Sequence, residues 1–370
     1  MNSFGGGRPK LQSLAIETTA YCNQKCDYCY NEWRAYGGAS WDKDERDKLL
    51  PRVRRMLDAF EIDHVTVTGG EPFAHPRIFD LLDLLEGRGV PIQVISNGGL
   101  IDEALATRLV PYRLRYVQIT LNGPDRELHE AHVGPGHWER TLAGIRALRG
   151  AGVPVLGCTV ITKKNAHHLA RILELWSSLG VRHLSLSRFS PAGYATRFAA
   201  ELLPTRAELI EAFRQATPFA REDGLKLTCT MPVPPCAVEV EEFAPIQFGT
   251  CPVGTSMQEL ALAPVGKLKN CTLHTTPIGG VPDVLDPAVD LPSLLSSPEI
   301  SEYRREVPEF CRGCLHEKTC AGGCGAAAEW VSGHARRFPD PFVWQHIDDE
   351  LAERFERMRR DGKTHLDVIL

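Results

Sequence analysis

The chain has 370 residues, 43% hydrophobic and 24% charged, a composition of ordinary globular proteins and a length beyond one small core. With 42 Lys and Arg against 47 Asp and Glu the net charge is −5, so no global positive field exists to hold a nucleic-acid backbone. No run of 18 apolar residues is present to cross a membrane, and the first ten residues lack the apolar stretch of a signal peptide, so a cytoplasmic enzyme is the expectation.

Residues 1–10, with three consecutive glycines, read as a flexible tail. Residues 11–18 then read as a strand and 42–60 as a helix, followed by a strand at 64–68 and a helix at 76–86. The alternation continues through 92–96, 102–109, 116–121, 138–149, 153–162, 165–179 and 181–186. Six alternations suit βαβ units, whose right-handed crossovers give an α/β fold with a parallel sheet and helices outside. Six units are two short of a closed eightfold barrel. On pattern alone, a partial barrel and a doubly wound sheet both remain. Residues 191–204 read as a loop and 205–222 as a helix capped by Thr205. Beyond residue 230 turns dominate and long periodic segments vanish until 347–360. The expected division is therefore a barrel at 11–230, a small irregular part at 231–346, and a C-terminal helix and tail at 347–370. The middle part is too poor in periodic apolar segments to build a large core, so something besides packing must hold it.

Twelve cysteines are the obvious candidates. Without a secretory signal they are better read as metal or redox ligands than as a disulfide framework. Three cluster at Cys22, Cys26 and Cys29, and six lie between Cys251 and Cys324; Cys158, Cys229 and Cys236 fall outside. The first group, in YCNQKCDYCY, has a C-x3-C-x2-C spacing directly after the first strand. Three thiolates so close can converge on one soft metal centre, and an Fe–S cluster held by three leaves one iron open. A zinc knuckle or buried core cysteines are the bland readings, but zinc would want a fourth Cys or His, and none lies between residues 11 and 63. The second strand runs straight into Gly69-Gly70-Glu71-Pro72. Glycines at that end let a ligand approach the backbone, and a glutamate accepts from a ligand ammonium group, although a tight βα turn needs the same residues.

Together these segments resemble the radical S-adenosylmethionine (radical SAM) enzymes, whose two main marks are the C-x3-C-x2-C loop and the GGEP strand end. The resemblance covers residues 11 to 188 and implies a partial (β/α)6 TIM barrel. It implies a [4Fe–4S] cluster on Cys22, Cys26 and Cys29, with S-adenosyl-L-methionine (SAM) on the open iron. By the same resemblance Gly69, Gly70 and Glu71 take the methionyl amino group, and Tyr28 lies near the adenine. Ser96-Asn97 and Thr120 with Asn122 match the family's weaker ribose contacts, although Asn-Gly is also an ordinary turn pair. Lys163 and Lys164 are further candidates for the SAM carboxylate.

The six later cysteines read C-x14-G-x4-C from Cys251 through Gly266 to Cys271, then Cys311-x2-Cys314-x5-Cys320-x3-Cys324. Zinc remains an alternative on spacing alone. The pattern resembles the SPASM extension, a Cys-rich Fe–S domain carrying two auxiliary clusters. Cys251, Cys271 and Cys324 would then hold the first, and Cys311, Cys314 and Cys320 the second, giving one or two auxiliary [4Fe–4S] clusters in addition to the SAM site. The family's seventh cysteine is missing; Asp340-Pro341-Phe342-Val343 stands near its place, and His334, Asp340, His346 or an open iron are the substitutes. Cys236 is a distant donor for the first auxiliary site and is read as a loop thiol.

The resemblance implies a 5′-deoxyadenosyl radical that abstracts hydrogen from a substrate C–H bond. It further suggests an oxidoreductase that cross-links or oxidises a ribosomally made peptide. A radical SAM dehydrogenase or epimerase of a small sugar or amino acid is the alternative, and a non-catalytic Fe–S or zinc scaffold the alternative from another class. Thr272, where sulfatase maturases carry aspartate after the second cysteine of the G-x4-C segment, argues against that activity. Flavodoxin or ferredoxin is the expected reductant. With 21 residues before Cys22, a fused leader-binding domain is not expected, so a peptide would need a separate leader-binding protein or the barrel itself. No acid or base for the substrate is assigned; Tyr194, Arg188 and His274 are the residues considered.

Overall fold

The computed structural model describes residues 7–32, 34, 45–303, 307–333 and 338–345. The helix expected at 347–360, His334, His346 and residues 42–44 lie outside the described residues. Ten strands form one sheet: β1 Lys10–Glu17, β2 Glu61–Thr68, β3 Ile92–Ser96, β4 Leu114–Thr120, β5 Val155–Ile161, β6 His183–Arg188, β7 Lys226–Cys229, β8 Gln247–Phe248, β9 Glu259–Leu262 and β10 Leu268–Lys269.

Their order is β10-β9-β1-β2-β3-β4-β5-β6-β7-β8. Every neighbouring pair from β9 through β8 is parallel, and only β10 runs antiparallel. A doubly wound sheet would reverse its order at a switch point. Here β1 to β6 follow in sequence without reversal, so the chain winds in one direction as a partial barrel. Closure does not occur, because β9 covers the free edge of β1 and β7 that of β6.

Helices pack outside this sheet through apolar faces. In Leu49–Ala59, Leu49, Leu50, Val53, Met56 and Leu57 are buried at helical spacing. Arg206–Arg221 begins with a capping box: Thr205 Oγ1 accepts from Glu208 N–H at 3.2 Å, and the Thr205 N–H donates to Glu208 Oε2 at 2.7 Å. Trp176 on Leu169–Ser178 is wholly buried against β5, where a side chain at Gly157 would meet its indole ring at 3.0 Å. Ala199–Leu202, in the stretch read as a loop, and Gly325–Ser332 were not anticipated from the sequence, nor was the helix Arg126–Val133. Its polar pattern hides the helical period, and the Asp125 cap accepting from the Leu128 N–H is its local signature.

Candidate functional site

In parallel α/β folds the ends of the strands carry the site. The segment after β1 lies directly on the segment after β2. The Thr18 N–H donates to Thr68 O at 2.8 Å, Gly70 N–H to Thr19 O at 2.7 Å and Glu71 N–H to Tyr21 O at 2.8 Å. This contact leaves no room for side chains: a Cβ at Gly70 would stand 1.9 Å from Tyr21 O, and one at Gly69 2.8 Å from Thr19 O. The two glycines thus admit the backbone of the cysteine loop itself.

Glu71 ties the same corner to β3. Its Oε1 accepts from Ser96 Oγ at 2.8 Å and from the Phe73 N–H at 3.2 Å, and its Oε2 accepts from the Asn97 N–H at 2.9 Å. Asn97 Nδ2 in turn donates to Asn23 Oδ1 at 2.7 Å and faces Cys22 Sγ at 3.7 Å. Gly69, Gly70, Glu71, Ser96 and Asn97 therefore form one hydrogen-bonded corner around the first cysteine. Burial, outweighing these hydrogen bonds, pushes the Glu71 carboxyl up to about 7. The folded chain thus keeps a proton that the unfolded chain releases near 4.5. The resulting stability is complete below that lower value and is lost as pH rises through about 7, a loss of about 3 kcal/mol. Relative to Glu71→Gln, whose amide does not titrate, the wild-type melting temperature is expected to fall across this window. Parallel melting curves would contradict it.

The three thiols of the loop are close enough to raise one another. Burial pushes Cys22 up to about 12 and, with the neighbouring thiols, raises Cys26; burial also raises Cys29, whereas Arg34 opposes the rise. A buried, mutually repelling set of thiols is a poor resting state for thiolates and a good donor set for a soft cationic centre, whose binding displaces the protons. Gly193 and Ala195 close over the loop, with the Ala195 N–H donating to Cys29 O at 2.9 Å. Tyr28, half-buried, lies 6.4 Å from the His132 ring, which is fixed between Leu128 O and Thr162 Oγ1. Thr120 ends β4 facing Cys158. Asn122 is fully buried: its Oδ1 accepts from the Val160 N–H at 2.8 Å while its Nδ2 has no partner. It follows β4 and is tied to β5 by that bond. Lys164 pairs with Asp27 at 3.5 Å.

The later cysteines separate into two groups. Cys251, Cys271 and Cys324 act on one another electrostatically; burial raises Cys271 and pushes Cys324 up to about 11. Gly266 places this group. Its φ is +85°, and a Cβ there would stand 2.2 Å from Asp283 Oδ1 and 2.4 Å from Arg52 Nε. The buried Arg52 reaches from Leu49–Ala59 to Asp283, to Pro264 O at 2.7 Å and to Val265 O at 3.0 Å. Nearby, Lys269 Nζ meets Glu17 Oε2 at 3.1 Å, both almost wholly buried, joining β10 to the end of β1. The second group, Cys311, Cys314 and Cys320, lines a small, largely enclosed cavity.

Asp340, considered above as a substitute ligand, is committed elsewhere. Both it and Arg188 are fully buried, and Arg188 Nη2 donates to Asp340 Oδ2 at 2.6 Å. The same carboxylate accepts from the N–H groups of Cys324 and Phe342. Arg188 is thereby also removed from acid–base candidacy. His274 is held by Glu329 and Tyr303, and Tyr194 stacks beneath Arg34. Among the described residues no three His, Cys, Asp or Glu side chains form a cage for a single metal ion. A cluster, in which each thiolate binds its own iron, needs no such cage. No disulfide joins any of the twelve cysteines, all of which lie among the described residues.

The family model of the radical SAM superfamily matches residues 16–175. The chain is 26% identical over 353 residues to an AdoMet-dependent heme synthase of Nitratidesulfovibrio vulgaris, covering 88% of this chain and 90% of that one. It is 24% identical over 331 residues to a PqqA peptide cyclase of Gluconobacter oxydans, covering 87% and 88%. Among solved structures, native anSMEcpe with bound AdoMet and Cp18Cys peptide aligns with a TM-score of 0.66 at 18% identity, covering 96% of this chain and 99% of that one, a likeness of fold.

Proposed function

From the premise that this chain is a radical SAM enzyme, we propose that it oxidises or cross-links a ribosomally made peptide, with Cys22, Cys26 and Cys29 holding the SAM-binding [4Fe–4S] cluster. The observation that carries this reading is the single corner in which the thiol loop, the glycine pair and Glu71 interlock. When bound, the cluster and SAM together supply a one-electron cleavage and, with it, a radical able to take hydrogen from carbon. The chain supplies position and dryness. Glu71, braced by Ser96 and Asn97, would fix the strand end on which SAM rests, and Tyr28, beside His132, would lie near the adenine. In this reading Thr120 and Asn122 would meet the ribose hydroxyls, the unpartnered Asn122 Nδ2 supporting a donor role for Asn122.

In the same reading Cys251, Cys271 and Cys324 hold a first auxiliary cluster and Cys311, Cys314 and Cys320 a second, where electrons from the substrate would leave. A PqqA peptide cyclase among the relatives favours a peptide substrate. An apolar cleft of about 790 Å³ supports it: Pro191, Ala199 and Leu203 line one side, Ala328, Val331 and Phe338 the other. The cleft runs from the loop that covers Cys29 to the helix Gly325–Ser332 that follows Cys324. Its size and lining suit a few apolar side chains. The heme synthase likeness favours instead a small-molecule substrate. A ferredoxin or flavodoxin would supply the electron, and either the barrel itself or a separate protein would recognise the peptide.

The test is anaerobic incubation of the iron-loaded chain with SAM, dithionite and short peptides encoded beside its gene, read by mass spectrometry. Loss of a hydrogen pair from one peptide is the expected result. Turnover stimulated by small molecules and by none of the peptides would replace the peptide reading with the second one.

A further inference from the structure

The second auxiliary group has three cysteines, and the residue standing near the place of the missing one is spent. Asp340 is saturated by Arg188 and two backbone N–H groups, so turning it toward iron would strand a buried guanidinium. The cavity lined by Cys311, Cys314 and Cys320 nonetheless has a fourth thiol. Cys236 lies in its wall, carried there by the turn at Pro234-Pro235 that follows β7, in which Pro234 O accepts from the N–H groups of Ala237 and Val238.

We propose that Cys236 is the fourth ligand of the second auxiliary cluster, completing a four-thiolate site with Cys311, Cys314 and Cys320. The proposal rests on the radical SAM reading above and gives this chain a ligand from before its first auxiliary cysteine in place of one from beyond Cys324. Cys236 lines the cavity of Cys311, Cys314 and Cys320, whose lining includes none of Cys251, Cys271 and Cys324. This places it with the second group and removes it from the first. Cys236 is exposed as a residue, on a surface turn, while the cavity it lines is largely enclosed. His316 lines the same cavity, and its backbone N–H donates to Cys314 Sγ at 3.3 Å. A fourth thiolate fits the usual ligand set of a [4Fe–4S] cluster better than an imidazole.

Because the residue is exposed, an unligated Cys236 must react with iodoacetamide in the loaded enzyme. A ligated one must not. Labelling of the iron-loaded full chain is followed by peptide mass spectrometry, before and after chelation of the iron. Cys158 and Cys229, 4% and 1% exposed in the core, serve as thiols protected in both states. Cys236 is expected to label about tenfold or more slowly while iron is bound. Cys236→Ala would leave an iron without its protein ligand, so mild oxidation is expected to remove about one more iron per chain than from wild type. His316→Ala should show no such difference. Equal labelling of Cys236 with and without iron would overturn the proposal, as would a matching iron loss in His316→Ala and none in Cys236→Ala. A chain that takes up no iron at all would sink the radical SAM reading as well. One that loads iron elsewhere while Cys236 labels freely would sink this proposal alone.

Discussion

Gly70→Ala is expected to reduce reductive SAM cleavage by at least about a hundredfold, because a misplacement of about 1 Å at a reacting centre already costs that much. The added methyl would stand 1.9 Å from Tyr21 O and 2.4 Å from Tyr21 C, both backbone atoms that no side-chain rotation can move aside. Either the cysteine loop lifts off the β2 end or β2 shifts beneath it. In both cases the Glu71 N–H to Tyr21 O bond is lost, and Cys22 moves relative to Asn97. Overpacking of this kind costs about 1–3 kcal/mol, which a core of this size withstands. Folding should therefore survive while SAM cleavage is lost. The pair of measurements is a thermal melt and 5′-deoxyadenosine formation. Wild-type cleavage by a folded Gly70→Ala would show that the glycine pair does not set the loop.

The second large effect is on stability. Arg188 and Asp340 are both 0% exposed, and no other acidic side chain is hydrogen-bonded to the guanidinium among the described residues. Asp340→Ala leaves a buried cation facing the Pro232 and Phe189 carbonyls and the Phe342 ring with no counter-ion among the described residues, and also strips the Cys324 N–H of its acceptor. Breaking a buried pair on one side costs about 3–5 kcal/mol, whereas replacing both members with apolar groups of similar volume is often near neutral. Asp340→Ala and Arg188→Ala should each lower the denaturation midpoint strongly, and Arg188→Met with Asp340→Leu should recover much of the loss. If the double variant were as unstable as the sum of the single ones, the pair would not be the strut between β6 and the Cys-rich segment.

What could be read ahead of the structure was local in the chain. The C-x3-C-x2-C loop, GGEP and the later cysteine spacings each place their ligands within a few residues, so the spacing is itself the signal. The six strand–helix alternations were legible for the same reason, and their unreversed order settled barrel winding against double winding. What escaped depends on contacts between distant segments. β8, β9 and β10 have two, four and two residues, too few to show a period of two, yet they cover the sheet edges. Glu71 was expected to face a ligand's ammonium group, and its committed partners Ser96 and Asn97 stand 25 and 26 residues away. Asp340 stood near a missing cysteine's place but pairs with Arg188 across 152 residues. Cys236 was separated from its cavity partners by some 75 residues of chain, and the sequence offered it only as a distant donor for the first auxiliary site or a loop thiol.

The most direct test of the account is 5′-deoxyadenosine formation by the anaerobically iron-loaded chain with SAM and dithionite, wild type beside a Cys22→Ala/Cys26→Ala/Cys29→Ala variant. The account predicts SAM-dependent formation by wild type and none by the variant, which should hold about eight irons where wild type holds about twelve, four per cluster. Equal formation by both proteins, or bound zinc with little iron and no formation by either, would contradict it.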